Sequence, residues 1–136
     1  VNQARLAYAA FQKTFSGPRW DALAKVGASV QRPLWASTST KNPSYPDTMY
    51  VDELIGPDTV NTLPDATLEA FSQRGTVSRT IDTNIAISRR QWAELAMNAI
   101  DVDEVAAQLE AEGVASFIKS FDELIGVLED KAEGFS

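Results

Sequence analysis

The side chains best suited to chemistry lie in one polar loop, from Ser37 to Asp47. The loop carries Ser37, several further hydroxyl groups and Lys41, and it follows an apolar run that ends at Ala36. Because ligands of α/β proteins bind beyond the carboxyl ends of strands, hydroxyls and an amine in this position favour the binding of an anion. An ordinary turn-forming loop rich in Ser, Asn and Pro remains open as the alternative.

Lys41 has a setting that no other lysine of the chain shares. The remaining lysines fall on segments with helical periodicity, where solvent exposure is the ordinary expectation. A lysine beyond a strand end can hold a phosphate as a point charge, or act as a Schiff-base nucleophile when it lies in a dry interior. Since the loop is polar, we favour anion binding for Lys41.

Composition excludes several kinds of site. The chain has 136 residues, no cysteine and no histidine. Thiolate nucleophiles, disulfides and metal sites built from thiolates or imidazoles are therefore excluded. The adjacent carboxylates Asp52 and Glu53 would point to different faces, so they make a poor acid/base pair and are expected at the surface. We expect no metal site.

Charge and hydropathy limit the partners. Twelve basic residues face 19 acidic ones, giving a formal charge of −7 that repels phosphate backbones and anionic lipid. No apolar run approaches the ~18 residues that a spanning helix needs. The sequence thus predicts neither a nucleic-acid nor a membrane partner.

The first half of the chain must position the loop. Residues 2–15 are predicted as a helix with an aromatic stripe, and a second short helix should end at Gly27 in a left-handed cap. The run from Val30 to Thr38 favours a strand buried on both faces, with irregular first residues around Pro33. Residues 50–55 fit either a helix or a strand, and Thr59–Leu63 forms a second short apolar run. This alternation of short runs and helices is typical of βα units with a parallel sheet.

The second half is predicted to be mostly helical. Leu68 and Phe71 should form the buried stripe of a helix that begins at Asp65, and residues 75–87 fit either an extended excursion or a hairpin. Ser88 should cap the next helix, and Asp101 or Asp103 the one after it, which should stop at Gly113. The strongest periodic signal is a last helix whose apolar face comprises Val114, Phe117, Ile118, Phe121, Leu124, Ile125 and Leu128.

Two stretches resemble a known family. They are Gln31-Arg-Pro-Leu-Trp-Ala-Ser-Thr and Lys41-Asn-Pro-Ser-Tyr-Pro-Asp-Thr-Met-Tyr-Val-Asp-Glu-Leu-Ile-Gly-Pro-Asp-Thr-Val-Asn-Thr-Leu-Pro64. Both closely resemble the C-terminal part of transaldolases in their actinobacterial and cyanobacterial form. The resemblance covers essentially the whole chain, and only residues 76–100 match loosely.

The resemblance implies a fold and a phosphate site. The fold would be a (β/α)8 TIM barrel of the class I aldolase type, of which this mostly helical α/β chain supplies the last two βα units. Residues 32–38 would be the seventh strand, 59–63 the eighth, and the helix at 2–15 the sixth outer helix. In the family, an Ala-Ser turn followed by a basic residue grips the substrate phosphate, which maps to Ser37 and Lys41.

The resemblance also implies a reaction. Transaldolases of the pentose phosphate pathway move a dihydroxyacetone unit from sedoheptulose 7-phosphate to glyceraldehyde 3-phosphate. They use a lysine Schiff base on the fourth strand, an aspartate on the first and a glutamate on the third, with no metal or organic cofactor. These catalytic residues would lie outside this chain, so we expect no catalytic residue within it and no activity of the chain alone.

The expected organisation and partners follow from the same mapping. Residues 1–136 would form a single C-terminal segment of a cytoplasmic transaldolase barrel, and the start at Val1 suggests a processed product or a piece of a longer polypeptide. Its partners would be sugar phosphates and the remainder of the barrel, with a homo-oligomer left open. Two alternatives also stay open: an autonomous, non-catalytic acidic helical interaction module, and a segment of a fused transaldolase and sugar-phosphate isomerase.

Overall fold

Six helices and two short strands follow one another in the computed structural model, which describes residues 1–135. In chain order they are α1 (Asn2–Thr14), α2 (Gly17–Lys25), β1 (Leu34–Trp35), α3 (Met49–Asp52), β2 (Val60–Asn61), α4 (Asp65–Arg74), α5 (Ile85–Met97) and α6 (Val102–Glu133). The chain divides into two compact units, Val1–Ala93 and a second that begins at Glu94. None of these helices is at once long and apolar enough to cross a membrane.

The core of the first unit forms around the aromatic face of α1. Tyr8 is 2% exposed and packs with Leu54 and Ile81, while Phe11 and Trp35 pack against this cluster from its margin. The Tyr8 hydroxyl donates a hydrogen bond to the carbonyl oxygen of Pro57 at 3.0 Å, which satisfies the one polar atom that the ring brings inside. The predicted aromatic stripe of the first helix is confirmed.

A left-handed glycine ends α2. Gly27 has a φ of +95°. Its N–H donates to the carbonyl oxygen of Ala24 at 3.0 Å, and the N–H of Ala28 donates to that of Leu23 at 3.1 Å. This pair of bonds is a Schellman motif, which suits glycine because a Cβ would strain the left-handed conformation. The predicted cap is confirmed.

The two strands pair in parallel, as predicted. Leu34 lies opposite Val60, and Trp35 lies opposite Asn61. Pro33 directly precedes β1, where its missing N–H removes no bond within the strand, and its carbonyl oxygen accepts from the Val60 N–H at 2.9 Å.

The burial predicted for β1 is wrong in this chain. Leu34 is 54% exposed, because β1 has a single strand neighbour among residues 1–135 and one face of the pair is uncovered. The undecided segment at 50–55 begins as a helix, since α3 spans the four residues Met49–Asp52.

The buried face of α4 also differs from the prediction. Leu68 is 53% exposed, and Phe71 is half-buried. The buried positions are Thr67 and Ala70, one residue further round the helix. The inward face of α4 therefore carries small side chains, although Leu68 and Phe71 are the more apolar residues of the helix.

The segment before α5 is a loop with a buried anchor. Residues 75–84 form no strand, yet Ile81 is fully buried, and the N–H groups of Thr80 and Ile81 both donate to the carbonyl oxygen of Ile55. Because α5 begins at Ile85, the prediction that Ser88 caps a helix is wrong. Ser88 lies inside α5, fully buried, and its hydroxyl donates to the Asn2 Oδ1 at 3.1 Å.

A single long helix replaces the two predicted at the C-terminal end. The Asp101 side chain caps it, accepting from the N–H groups of Asp103 at 3.0 Å and Glu104 at 3.1 Å. Gly113 does not stop it. An interior glycine costs a helix only about 1 kcal/mol relative to alanine, which does not interrupt a run flanked by strong helix formers.

The second unit exposes most of the apolar face of α6. The stripe from Val114 to Leu128 is exposed throughout, and Phe117 reaches 81%. The helix carries nine acidic and two basic side chains. Its formal charge therefore equals the −7 of the whole chain.

The contrast between Gly113 and Gly27 is testable. Gly113→Ala should stabilise α6 by about 0.5–1 kcal/mol, because the added methyl group meets no atom within 4 Å and lowers the entropy of the unfolded chain. Gly27→Ala should destabilise the first unit, because alanine is strained at positive φ. Urea unfolding followed by circular dichroism measures both, and a destabilised Gly113→Ala variant would contradict the unbroken helix.

Candidate functional site

The carboxyl ends of β1 and β2 lie at one edge of the strand pair. The N–H of Thr62, the first residue after β2, donates to the carbonyl oxygen of Trp35 at 3.0 Å, and the Thr62 hydroxyl lies 3.3 Å from the same atom. The segments that leave the two strands therefore begin side by side.

Ser37 begins the loop in a left-handed conformation, with a φ of 56°. It is an exposed residue. A non-glycine residue in this region costs on the order of 1–2 kcal/mol and persists where the surroundings impose it, often at binding sites. Ser37 lines a cavity of about 180 Å³ together with Trp35, Thr38, Tyr50 and Leu54.

Thr38 is the best-anchored residue of the loop. It is 3% exposed, and its hydroxyl donates to the Asn61 Oδ1 at 2.9 Å and to the carbonyl oxygen of Thr62 at 3.2 Å. Sequence reasoning counted Thr38 among the loop hydroxyls that could surround an anion, but it predicted neither its anchoring role nor any role for Asn61. The signal available was a threonine that directly follows an apolar run, but nothing in the sequence shows which polar atom it meets.

Lys41 lies further along the loop and is exposed. Its Nζ donates to the Ser39 Oγ at 3.2 Å, and it meets no carboxylate within the part of the chain that the structure describes. Lys41 does not line the cavity that Ser37 lines. The structure thus brings the two predicted site residues into one loop, and holds the amine against Ser39. Their role in phosphate binding stays a prediction.

The far end of the loop is tied down by an ion pair and a buried hydroxyl. The Arg74 guanidinium donates to both carboxylate oxygens of Asp47. Thr48 is 4% exposed, and its hydroxyl donates to the Asp52 Oδ2 at 2.6 Å. The hydrogen bond from Arg74 holds the pKa of Asp47 below its usual value, so the loop end carries a charged pair at neutral pH.

Asp52 and Glu53 have structural partners. The Asp52 Oδ1 accepts from the Thr76 N–H at 2.7 Å. Glu53 pairs with Arg5 of α1 at 2.5 Å, and the Arg5 side chain is only 11% exposed. The two carboxylates thus hold loops and helices together, and the expectation of simple surface positions is corrected for both, since Asp52 and Glu53 are half-buried.

No group of three or more acidic side chains in residues 1–135 is arranged to hold a metal ion. The polar groups at this edge are hydroxyls, amides and one amine. Such groups donate hydrogen bonds, so the arrangement suits an anion with several oxygen atoms.

Comparisons with known proteins converge on one family. A family model described as transaldolase/fructose-6-phosphate aldolase matches residues 1–128. The chain is 51% identical over 129 residues to a transaldolase of Frankia alni, a match that covers 94% of this chain and 35% of that protein. It is 46% identical over 136 residues to a transaldolase of Trichodesmium erythraeum, covering 98% and 36%. A transaldolase of Mycobacterium leprae is 45% identical over 135 residues, with the same coverage of 98% and 36%.

These matches cover almost the whole of this chain but only part of each relative. The chain spans about a third of the length of the relatives it matches. The resemblance inferred from residues 31–38 and 41–64 is confirmed.

The ion pair between Arg74 and Asp47 makes the folding stability depend on pH in a defined direction. Because the folded-state pKa of Asp47 lies below its unfolded value of about 3.9, the pair contributes stability above that pH and loses the contribution as pH falls through the folded pKa. Asp47→Asn should therefore lower the melting temperature at pH 6, and the difference from the unaltered chain should shrink as the pH falls below the unfolded value towards pH 2.

Asp21→Asn is the matched control, since the Asp21 side chain makes no hydrogen bond within residues 1–135. Its melting temperature should follow that of the unaltered chain at both pH values. An Asp47→Asn effect of the same size at pH 6 and pH 2 would contradict the assignment of the pair.

Proposed function

This chain belongs to the transaldolase/fructose-6-phosphate aldolase family, and we propose that it is the C-terminal segment of a transaldolase, where it contributes substrate-phosphate binding and closure of the barrel. The observation that carries this proposal is the family match over residues 1–128, combined with a hydroxyl- and lysine-bearing loop at the carboxyl end of a parallel strand. The parent protein would be a transferase of the pentose phosphate pathway.

The strand pair supports a place in a barrel. β1 and β2 would be the seventh and eighth strands of a (β/α)8 barrel, with α1 as the sixth outer helix. Parallel strands normally have both faces covered, whereas Leu34 is 54% exposed here. A first and a sixth strand alongside the pair would supply the missing neighbours.

The loop after β1 supports a phosphate site. Phosphate sites of such barrels are frequently built from the loops after the last two strands. Ser37 offers an exposed hydroxyl next to the cavity, and Lys41 offers an amine that no carboxylate of residues 1–135 neutralises. We assign Ser37 and Lys41 to the substrate phosphate on this basis.

The covalent chemistry would take place on the part of the parent protein outside this chain. A lysine amine there would condense with the carbonyl of sedoheptulose 7-phosphate and release water. Cleavage of the C3–C4 bond would release erythrose 4-phosphate and leave a dihydroxyacetone unit on the lysine. Addition of that unit to glyceraldehyde 3-phosphate, followed by hydrolysis, would give fructose 6-phosphate. All five lysines of this chain are exposed, which suits none of them to a Schiff base in a dry interior.

One observation favours a second candidate. The exposed apolar stripe of α6 and its charge of −7 are what an acidic helical interaction module would present. Such a module should remain a defined monomer or oligomer and unfold cooperatively as the isolated chain. A barrel segment should aggregate as its concentration rises, because its strand edge is uncovered.

Lys41→Ala in the full-length parent protein tests the phosphate assignment. Loss of one charged contact should raise the KM for phosphorylated sugars at least about tenfold, and should affect unphosphorylated analogues much less. Lys25→Ala, which removes an exposed lysine of α2, is the matched control and should leave both values unchanged. Equal losses on both substrate classes would show that Lys41 does not bind the phosphate.

Borohydride trapping tests whether the Schiff-base lysine lies outside this chain. With a ketose phosphate present, reduction of the Schiff base should label the full-length parent and leave residues 1–136 unlabelled, because the nucleophilic lysine lies elsewhere. Peptide mass spectrometry locates the adduct. A label on Lys41 would refute the proposal that this segment holds no catalytic residue.

A further inference from the structure

We propose that Thr38 is a positioning residue for phosphate binding, because its buried hydroxyl clamps the end of β1 to the end of β2 and so fixes the orientation of Ser37. This inference rests on the proposed function and deepens its phosphate site. The group that touches the substrate would be Ser37, and Thr38 would act through it.

The sheet register shows why Thr38 needs a special backbone. Asn61 lies opposite Trp35, so both side chains share one face of the strand pair. In a continued strand, residue 38 would point to the opposite face, because side chains alternate. Ser37 breaks the alternation with its φ of 56°, and Thr38 reaches the Asn61 Oδ1 at 2.9 Å.

The burial of Thr38 makes its hydrogen bonds to the end of β2 important for the conformation of the loop. At 3% exposure, its hydroxyl has little access to water and depends on the Asn61 amide and the Thr62 carbonyl for hydrogen bonds. A buried hydroxyl without a partner is costly, so these bonds hold the left-handed turn at Ser37 in place. The clamp thereby fixes the direction in which the loop with Lys41 leaves the strand.

The test compares Thr38→Val with Thr38→Ser in the full-length parent protein. Valine keeps the shape and removes the hydroxyl, whereas serine keeps the hydroxyl. Thr38→Val should raise the KM for phosphorylated substrates about tenfold, with kcat changed less than about threefold and unphosphorylated analogues little affected. Thr38→Ser should restore the KM to near the unaltered value.

The result for Lys41→Ala separates a failure of the clamp from a failure of the phosphate site. If Lys41→Ala raises the KM for phosphorylated substrates selectively and Thr38→Val leaves it unchanged, the clamp is overturned and the phosphate site still holds. Absence of a selective effect in both Lys41→Ala and Ser37→Ala overturns the phosphate site, and the clamp with it. Equal losses on both substrate classes in Thr38→Val, without rescue by serine, would show a merely structural role.

Asn61→Ala is measured in place of Thr38→Val if that variant fails to fold. It removes one of the two acceptors and leaves the Thr62 carbonyl available. We expect a smaller, still selective rise in KM. An unchanged KM for phosphorylated substrates in Asn61→Ala overturns the proposal.

Discussion

The parallel pairing of β1 with β2 is the constraint on which the first unit depends. Each strand contributes only two paired residues, yet the pairing brings Ser37, Thr38 and Thr62 to one edge. The Trp35 indole contacts the turn after α3, where its Nε1 donates to the carbonyl oxygen of Leu54 at 3.1 Å. So short a ladder has little stability of its own. Its register is therefore held by side chains, Trp35 on one side and Thr38 at the end.

Sequence reasoning predicted the features that depend on local chemistry. The aromatic face of α1, the glycine cap at Gly27 and the aspartate cap at Asp101 each depend on residues within one or two helical turns. The parallel pair was also predictable, because short apolar runs that alternate with helices have few other solutions. Ser37 and Lys41 were selected by the same kind of rule, that ligands bind beyond strand ends.

The errors have a common physical origin in contacts between distant residues. Ser88 has a side chain suited to a helix cap, but its hydroxyl donates a hydrogen bond to Asn2, which lies 86 positions away in the sequence. Leu68 has the hydropathy of a core residue, but Thr67 and Ala70 occupy the buried face of α4. The contact between Thr38 and Asn61 was not predicted, because the hydroxyl and the amide oxygen meet at 2.9 Å only in this strand register. Periodicity reports neither register nor the identity of a distant partner.

The apolar surface of the chain is unevenly distributed, and that distribution bears on the proposed function. Leu34 is 54% exposed on β1 and Phe117 is 81% exposed on α6, whereas Tyr8, Leu54 and Ile81 are almost fully buried. Burying a large apolar side chain is worth about 1.5–3 kcal/mol, so several exposed ones on a single helix face represent a substantial driving force for association. The acidic side chains of α6 oppose pairing of that helix with its own copy, since each copy carries −7 on this helix. A surface that is apolar and not itself acidic is therefore the kind of neighbour that the exposed face of α6 requires. In the proposed barrel, the remaining two thirds of the parent protein would supply such a neighbour for both exposed surfaces.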